Sequence, residues 1–172
     1  MEVIIAEGHG LVSWLIKKSL KSPFSHAAIR YGGDRNFWVI HSTRGGVHPE
    51  WWFYFIKKYT NIQRYLCKFP EAEQATDNLT GKIGHKGYDY LGVTGAGIQI
   101  ILGWLGIKIK NPFVNKDDYH CSEIFPEYFK ECNKLNPNLQ LKEDWGKHTE
   151  SVTPPDVLDY LKSRPDLFEK IN

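Results

Sequence analysis

A chain of 172 residues with 41% hydrophobic and 24% charged side chains is long enough to bury one core and too apolar to be disordered. Its formal net charge is +2, and the lysines fall in separated pairs (Lys17-Lys18, Lys57-Lys58), so composition makes no case for nucleic acid. The three cysteines, Cys67, Cys121 and Cys132, are odd in number and show no CxxC spacing, which argues against a disulfide framework and a structural zinc site.

The opening residues, MEVIIAEGHG, lack the charged-then-apolar pattern of a secretory signal, so a reducing, cytoplasmic setting is the default expectation. Export without a signal peptide, as in some phage and bacterial proteins, stays open. Val3–Ala6 reads as a short strand. Leu11–Leu20 has helical spacing and is closed by Pro23. Ala27–Tyr31 and Phe37–His41 read as two strands, and Asn61–Phe69 as another. Pro70 opens a polar helix over Glu71–Gly81. Tyr88–Trp104 reads as a helix interrupted by glycines, and Cys121–Cys132 as a further helix. Thr153-Pro154-Pro155-Asp156 reads as a helix start, with Thr153 as N-cap and Pro154 at the first helical position. Strands early and helices late predict a single α+β domain over residues 1–172. The uncharged segment Leu91–Ile107 has several glycines and a glutamine and sits at the lower length limit for crossing a bilayer. It reads first as a buried or partly lipid-facing segment.

Gly32-Gly33-Asp34-Arg35 predicts a tight turn between the first two hairpin strands, with a loop of two or four residues. Either loop sets Ala28 opposite Val39 and His26 opposite His41. Opposed side chains share a face, with Cβ atoms ~4.5–5.5 Å apart. Ala27, Ile29, Trp38 and Ile40 would occupy the other face, so the sheet is expected to be covered on both sides. A lone strand histidine is ordinarily a hydrogen-bonded core residue; two opposed ones suggest a site.

With His120 as N-cap, Cys121 would lie in the first turn of its helix, where the dipole and unpaired N–H groups favour a thiolate and could hold an oxyanion. Glu123 would sit at the third helical position and turn back onto those N–H groups. Pro126 is expected to kink the helix just after its first turn. Cys67 and Cys132 read as core thiols.

SHAAIRYGG, VIHSTRGGV and YHCSEIF, in that order, resemble three blocks of the circularly permuted papain-like branch of the NlpC superfamily: a histidine strand, a strand with a polar partner, and a cysteine at a helix start. The group includes the YiiX-like proteins and, more distantly, lecithin retinol acyltransferase. GHGLVSWLIKKSLKSPFSH, GYDYLG and VTPPDVLDY resemble further blocks, so the likeness spans most of the chain. The resemblance implies an antiparallel sheet packed on helices. It implies Cys121 as nucleophile, His26 as base and His41 as the group that orients the base. Tyr119 and Glu123 would be the oxyanion or substrate-binding groups, and no cofactor or metal is needed. The expected chemistry is hydrolysis of amide or peptide bonds through a thioester, on a substrate such as a peptidoglycan stem peptide. Three rivals stay open: lipid acyl transfer or thioesterase chemistry, with membrane contact through Leu91–Ile107; a non-catalytic ligand-binding module; and a metal site of His26, His41 and Cys121. The aromatic run Trp51–Phe55 could line a groove, although packing is its more ordinary use.

Overall fold

The structure, a computed structural model, describes residues 1–32, 37–43, 46–83, 121–145 and 152–171. Its strands are β1 (Glu2–Glu7), β2 (His26–Tyr31), β3 (Trp38–Thr43), β4 (Gly46–Trp51), β5 (Thr60–Cys67) and β6 (Phe168–Ile171). They form one six-stranded sheet in the order β4-β3-β2-β1-β5-β6, with every neighbouring pair antiparallel. The helices are α1 (Leu11–Leu20), α2 (Trp52–Lys58), α3 (Glu71–Ile83), α4 (Ile124–Leu135) and α5 (Pro154–Ser163). The architecture is α+β, as expected. Tyr88–Trp104 and the whole of the segment Leu91–Ile107 lie outside the described residues.

Both faces of the sheet are covered, which explains the unbroken apolar run Val3-Ile4-Ile5-Ala6 in central strand β1. One face carries Val3, Ile5, Ala27, Ile29 and Ile40 and packs under α3, α4 and α5. Phe129 of α4 joins Phe125, Tyr128, Trp145, Tyr160 and Phe168 in an aromatic cluster there. Cys67 and Cys132 are both buried in this core, as their apolar settings predict. On the other face Ile4, Ala6, Ala28 and Val39 lie against Phe55, with Trp52, Tyr59 and Ile62 around it.

The β2–β3 register differs from the tight-turn expectation. The pairs are Ile29 with Ile40, Arg30 with Val39 and Tyr31 with Trp38. Residues 32–37 therefore fall between the last paired positions, and the pairing is displaced by two residues from the expected one. Contacts that turn chemistry does not reveal favour this register. The Arg30 guanidinium lies over the Phe37 ring at 3.6 Å and near Trp52 at 4.8 Å, while Trp38 stacks on Trp51 at 4.3 Å. A two-residue displacement preserves side-chain parity, because strands alternate with period two. His26 and His41 thus stay on one face as diagonal rather than direct neighbours.

Among the strands and α-helices described, β4, α2 and β6 go beyond the elements expected from sequence. β4 contains Pro49, which reads as a strand breaker but is tolerated here because β4 is an edge strand. α2 places Trp52 and Phe55 inward and leaves Phe53 and Tyr54 exposed, so the aromatic run Trp51–Phe55 divides between core and surface. α1 buries no residue and exposes Leu11, Val12 and Trp14. At the α5 start, Thr153 accepts from the Asp156 N–H while Asp156 accepts from the Thr153 N–H, the reciprocal cap expected from TPPD.

Candidate active site

His26 begins β2 and His41 sits in the middle of β3, both on the face covered by α2. Their rings meet edge-on with centroids 5.2 Å apart, and His26 Nε2 lies 3.0 Å from His41 Nδ1 in a hydrogen bond. The His26 ring stacks on Tyr59 at 4.4 Å and 14°, and Phe55 packs against both histidines. Packing on both sides fixes the rings in place. The bond occupies His26 Nε2, which leaves Nδ1 as the nitrogen available to a thiol.

Burial disfavours the charged imidazolium in both rings. It is the leading cause that pushes His26 down to about 3, with the positive field of His48 adding to it. It likewise pushes His41 down to about 2, helped by His26, His48 and Lys58. Both histidines are therefore neutral at physiological pH.

Cys121 lies in a turn ahead of α4 rather than in its first turn. The helix begins at Ile124 with Glu123 at the N-cap position, where its side chain makes no cap. Glu123 is therefore at the N-cap and not at the third helical position, and His120, the expected cap, lies outside the described residues. Pro126 supplies the physical reason. With the helix starting at Ile124, Pro126 is its third residue, where a backbone N–H would have no intrahelical partner in any case. A start at Cys121 would have put the proline in the helix interior, at the cost of a hydrogen bond. The expected kink is thereby replaced by a later start that places the proline in the first turn.

The Cys121 thiol rests against the end of β2. Its Sγ is 3.9 Å from the Ser25 carbonyl oxygen, and the Ala27 N–H donates toward the sulfur. These two backbone groups flank His26. No hydrogen bond joins Cys121 Sγ to His26 among the described residues. The thiol is pushed up to about 11, first by burial and then by the nearby Glu123 carboxylate, despite the N–H groups of Ala27 and Cys121. The helix-start thiolate expected from sequence is not the resting form: thiol and imidazole both stand neutral. Burial likewise pushes Cys67 up to about 12, and it holds Cys132 well above an ordinary thiol.

His41, His48 and Glu50 share one face, because His41 pairs with His48 and Val39 with Glu50 across the β3–β4 ladder. The His48 ring lies 4.9 Å from that of His41. Glu50 Oε2 lies 3.6 Å from His41 Nε2, and Glu50 Oε1 pairs with Lys58. Sequence reasoning missed Glu50; the available signal is the alternation His48-Pro49-Glu50 just after the His41 strand. Tyr119 lies outside the described residues. Among the described residues, no three His, Cys, Asp or Glu side chains are arranged to hold a metal ion, and no helix is long and apolar enough to cross a membrane. A surface depression of about 290 Å³ is lined by Lys142, Trp145, Asp156, Asp159, Tyr160 and Ser163, none of them a candidate residue.

Compared with known proteins, the sequence matches no family model and no curated protein.

Proposed function

We propose that this chain is a cysteine-dependent hydrolase of amide or peptide bonds, built on a permuted papain-like, NlpC-type fold. The observation that carries the reading is the His26 Nε2–His41 Nδ1 hydrogen bond of 3.0 Å, with a thiol held against the two backbone groups that flank His26. The site rests neutral. As a carbonyl substrate enters, the Cys121 S–H gives its proton to His26 Nδ1 and the sulfur attacks the carbonyl carbon. The Cys121 backbone N–H would hold the developing oxyanion. Collapse breaks the C–N bond, and the proton on His26 leaves with the amine. Water, deprotonated by the same ring, then hydrolyses the thioester and restores the thiol. His41 keeps His26 oriented through both halves. Apo sites commonly hold such partners apart until substrate closes them.

Peptides of the cell-wall stem type are the first substrates to assay, with release of free amine as the readout. Cys121→Ala should remove turnover with its melting temperature unchanged; a variant as active as the native chain would overturn the reading.

Lipid acyl transfer by the same three residues is the second reading. The exposed apolar side chains of α1 and α2 (Leu11, Val12, Trp14, Phe53, Tyr54) favour it, with Lys17, Lys18 and Lys57 among them. Acyl transfer from phospholipid vesicles, without cleavage of peptides, would select it.

A further inference from the structure

Two buried polar atoms face each other beside the histidine pair. His41 Nε2 and Glu50 Oε2 are 3.6 Å apart, and neither has a hydrogen-bond partner among the described residues. The His41 side chain is 1% exposed and that of Glu50 12%. Buried polar groups are almost always satisfied, and these two, left without a hydrogen bond, face each other as an ion-pair contact just beyond hydrogen-bond range. Lys58 holds the second carboxylate oxygen. Lys58 is engaged by Glu50 and makes no hydrogen bond to His41 Nε2 among the described residues. His48 donates from Nδ1 to the Gly46 carbonyl oxygen at 2.9 Å, and no hydrogen bond joins it to His41 among the described residues.

Proton positions then follow in sequence. An ionised carboxylate only accepts, so His41 carries its proton on Nε2. A neutral imidazole has one N–H, so His41 Nδ1 accepts. Its partner at 3.0 Å, His26 Nε2, must therefore donate. His26 Nδ1 is left with a free lone pair, the nitrogen a thiol proton needs.

We propose that Glu50 is a positioning residue that sets the tautomers of both His41 and His26, so that His26 presents an unprotonated Nδ1 toward Cys121. Its catalytic meaning rests on the hydrolase reading, but the proton positions do not.

The test is the ring-nitrogen NMR spectrum of the full chain, labelled with nitrogen-15, in native, Glu50→Gln and Glu50→Asp forms. The native chain should show both histidines as Nε2–H tautomers. In Glu50→Gln, Lys58 retains the amide oxygen and the amide NH2 turns to His41. That reverses the line: His41 and His26 both become Nδ1–H. Glu50→Asp, which keeps the acceptor, should restore the native tautomers. A native spectrum with His41 protonated on Nδ1 overturns the proposal, and so do native tautomers retained in Glu50→Gln. Acetylation of Cys121 by p-nitrophenyl acetate, followed in parallel, should fall roughly ten- to a hundredfold in Glu50→Gln. If the tautomers reverse and no form of the protein is acetylated on Cys121, the hydrolase reading fails while the role of Glu50 stands.

Discussion

Acidification should destabilise this fold well before its carboxylates titrate. His26 and His41 have folded pKa values pushed down to about 3 and about 2 by burial, whereas an unfolded histidine titrates near ~6.5. A group with a depressed folded value binds fewer protons when folded. Its contribution is intact above ~6.5 and is lost as pH falls through the window toward the folded values. Between pH 7 and 5.5 each histidine then removes about 1 kcal/mol, and the pair about 2–3 kcal/mol. That is a large share of a typical stability of roughly 5–15 kcal/mol. Over the same interval unfolded carboxylates, near ~4, remain ionised and contribute little. Urea unfolding followed by tryptophan fluorescence at several pH values measures the loss. His41→Gln, which removes one of the two groups, should shrink the pH dependence by about half. A native stability flat to within about 0.5 kcal/mol across this interval would refute the buried, neutral histidine pair.

Other outcomes follow from single side chains. Phe55, fully buried against both histidines, should cost about 3–5 kcal/mol when replaced by Ala, measured by urea unfolding. Thr153→Ala removes the reciprocal cap of α5 and should cost about 1 kcal/mol in the same assay, while Thr153→Ser costs much less. Alkylation of the native chain by iodoacetamide should modify Cys121 alone, because Cys67 and Cys132 are buried. Its rate should rise with pH along a curve centred above the ordinary thiol value of ~8.5, toward the about 11 that burial and Glu123 impose. A midpoint at or below ~8.5 would contradict the upward push of burial and Glu123, and one below ~7 would contradict the neutral resting thiol.

Where one local rule governs, the sequence was legible. Helical spacing and Pro23 bounded α1 at Leu11–Leu20, and TPPD announced the cap of α5. Parity carried the histidine pair to one face even though the loop length was misjudged, because an even displacement does not flip a strand. What stayed hidden depends on tertiary context. The β2–β3 register is favoured by Arg30 over Phe37 and by Trp38 on Trp51, contacts with no local signature. Pro49 obscured β4, since only its edge position makes a proline acceptable there. Glu50 was hidden along with that strand. At Cys121 the helix expected from sequence gives way to one that starts at Ile124, because Pro126 fits the first turn and not the interior. The neutral state of the thiol was equally illegible, since burial outweighs nearby N–H groups only when the surrounding fold is known.

The most direct test of the central claim is the pre-steady-state reaction of the native chain with p-nitrophenyl acetate, with the modified residue located by mass spectrometry. The account predicts one acetyl group per chain, carried as a thioester on Cys121, formed in a rapid burst. It also predicts loss of that burst in His26→Ala, at a urea concentration and pH where the variant is shown to be folded. A burst of equal size and rate in folded His26→Ala, or acetylation that bypasses Cys121, would contradict the account.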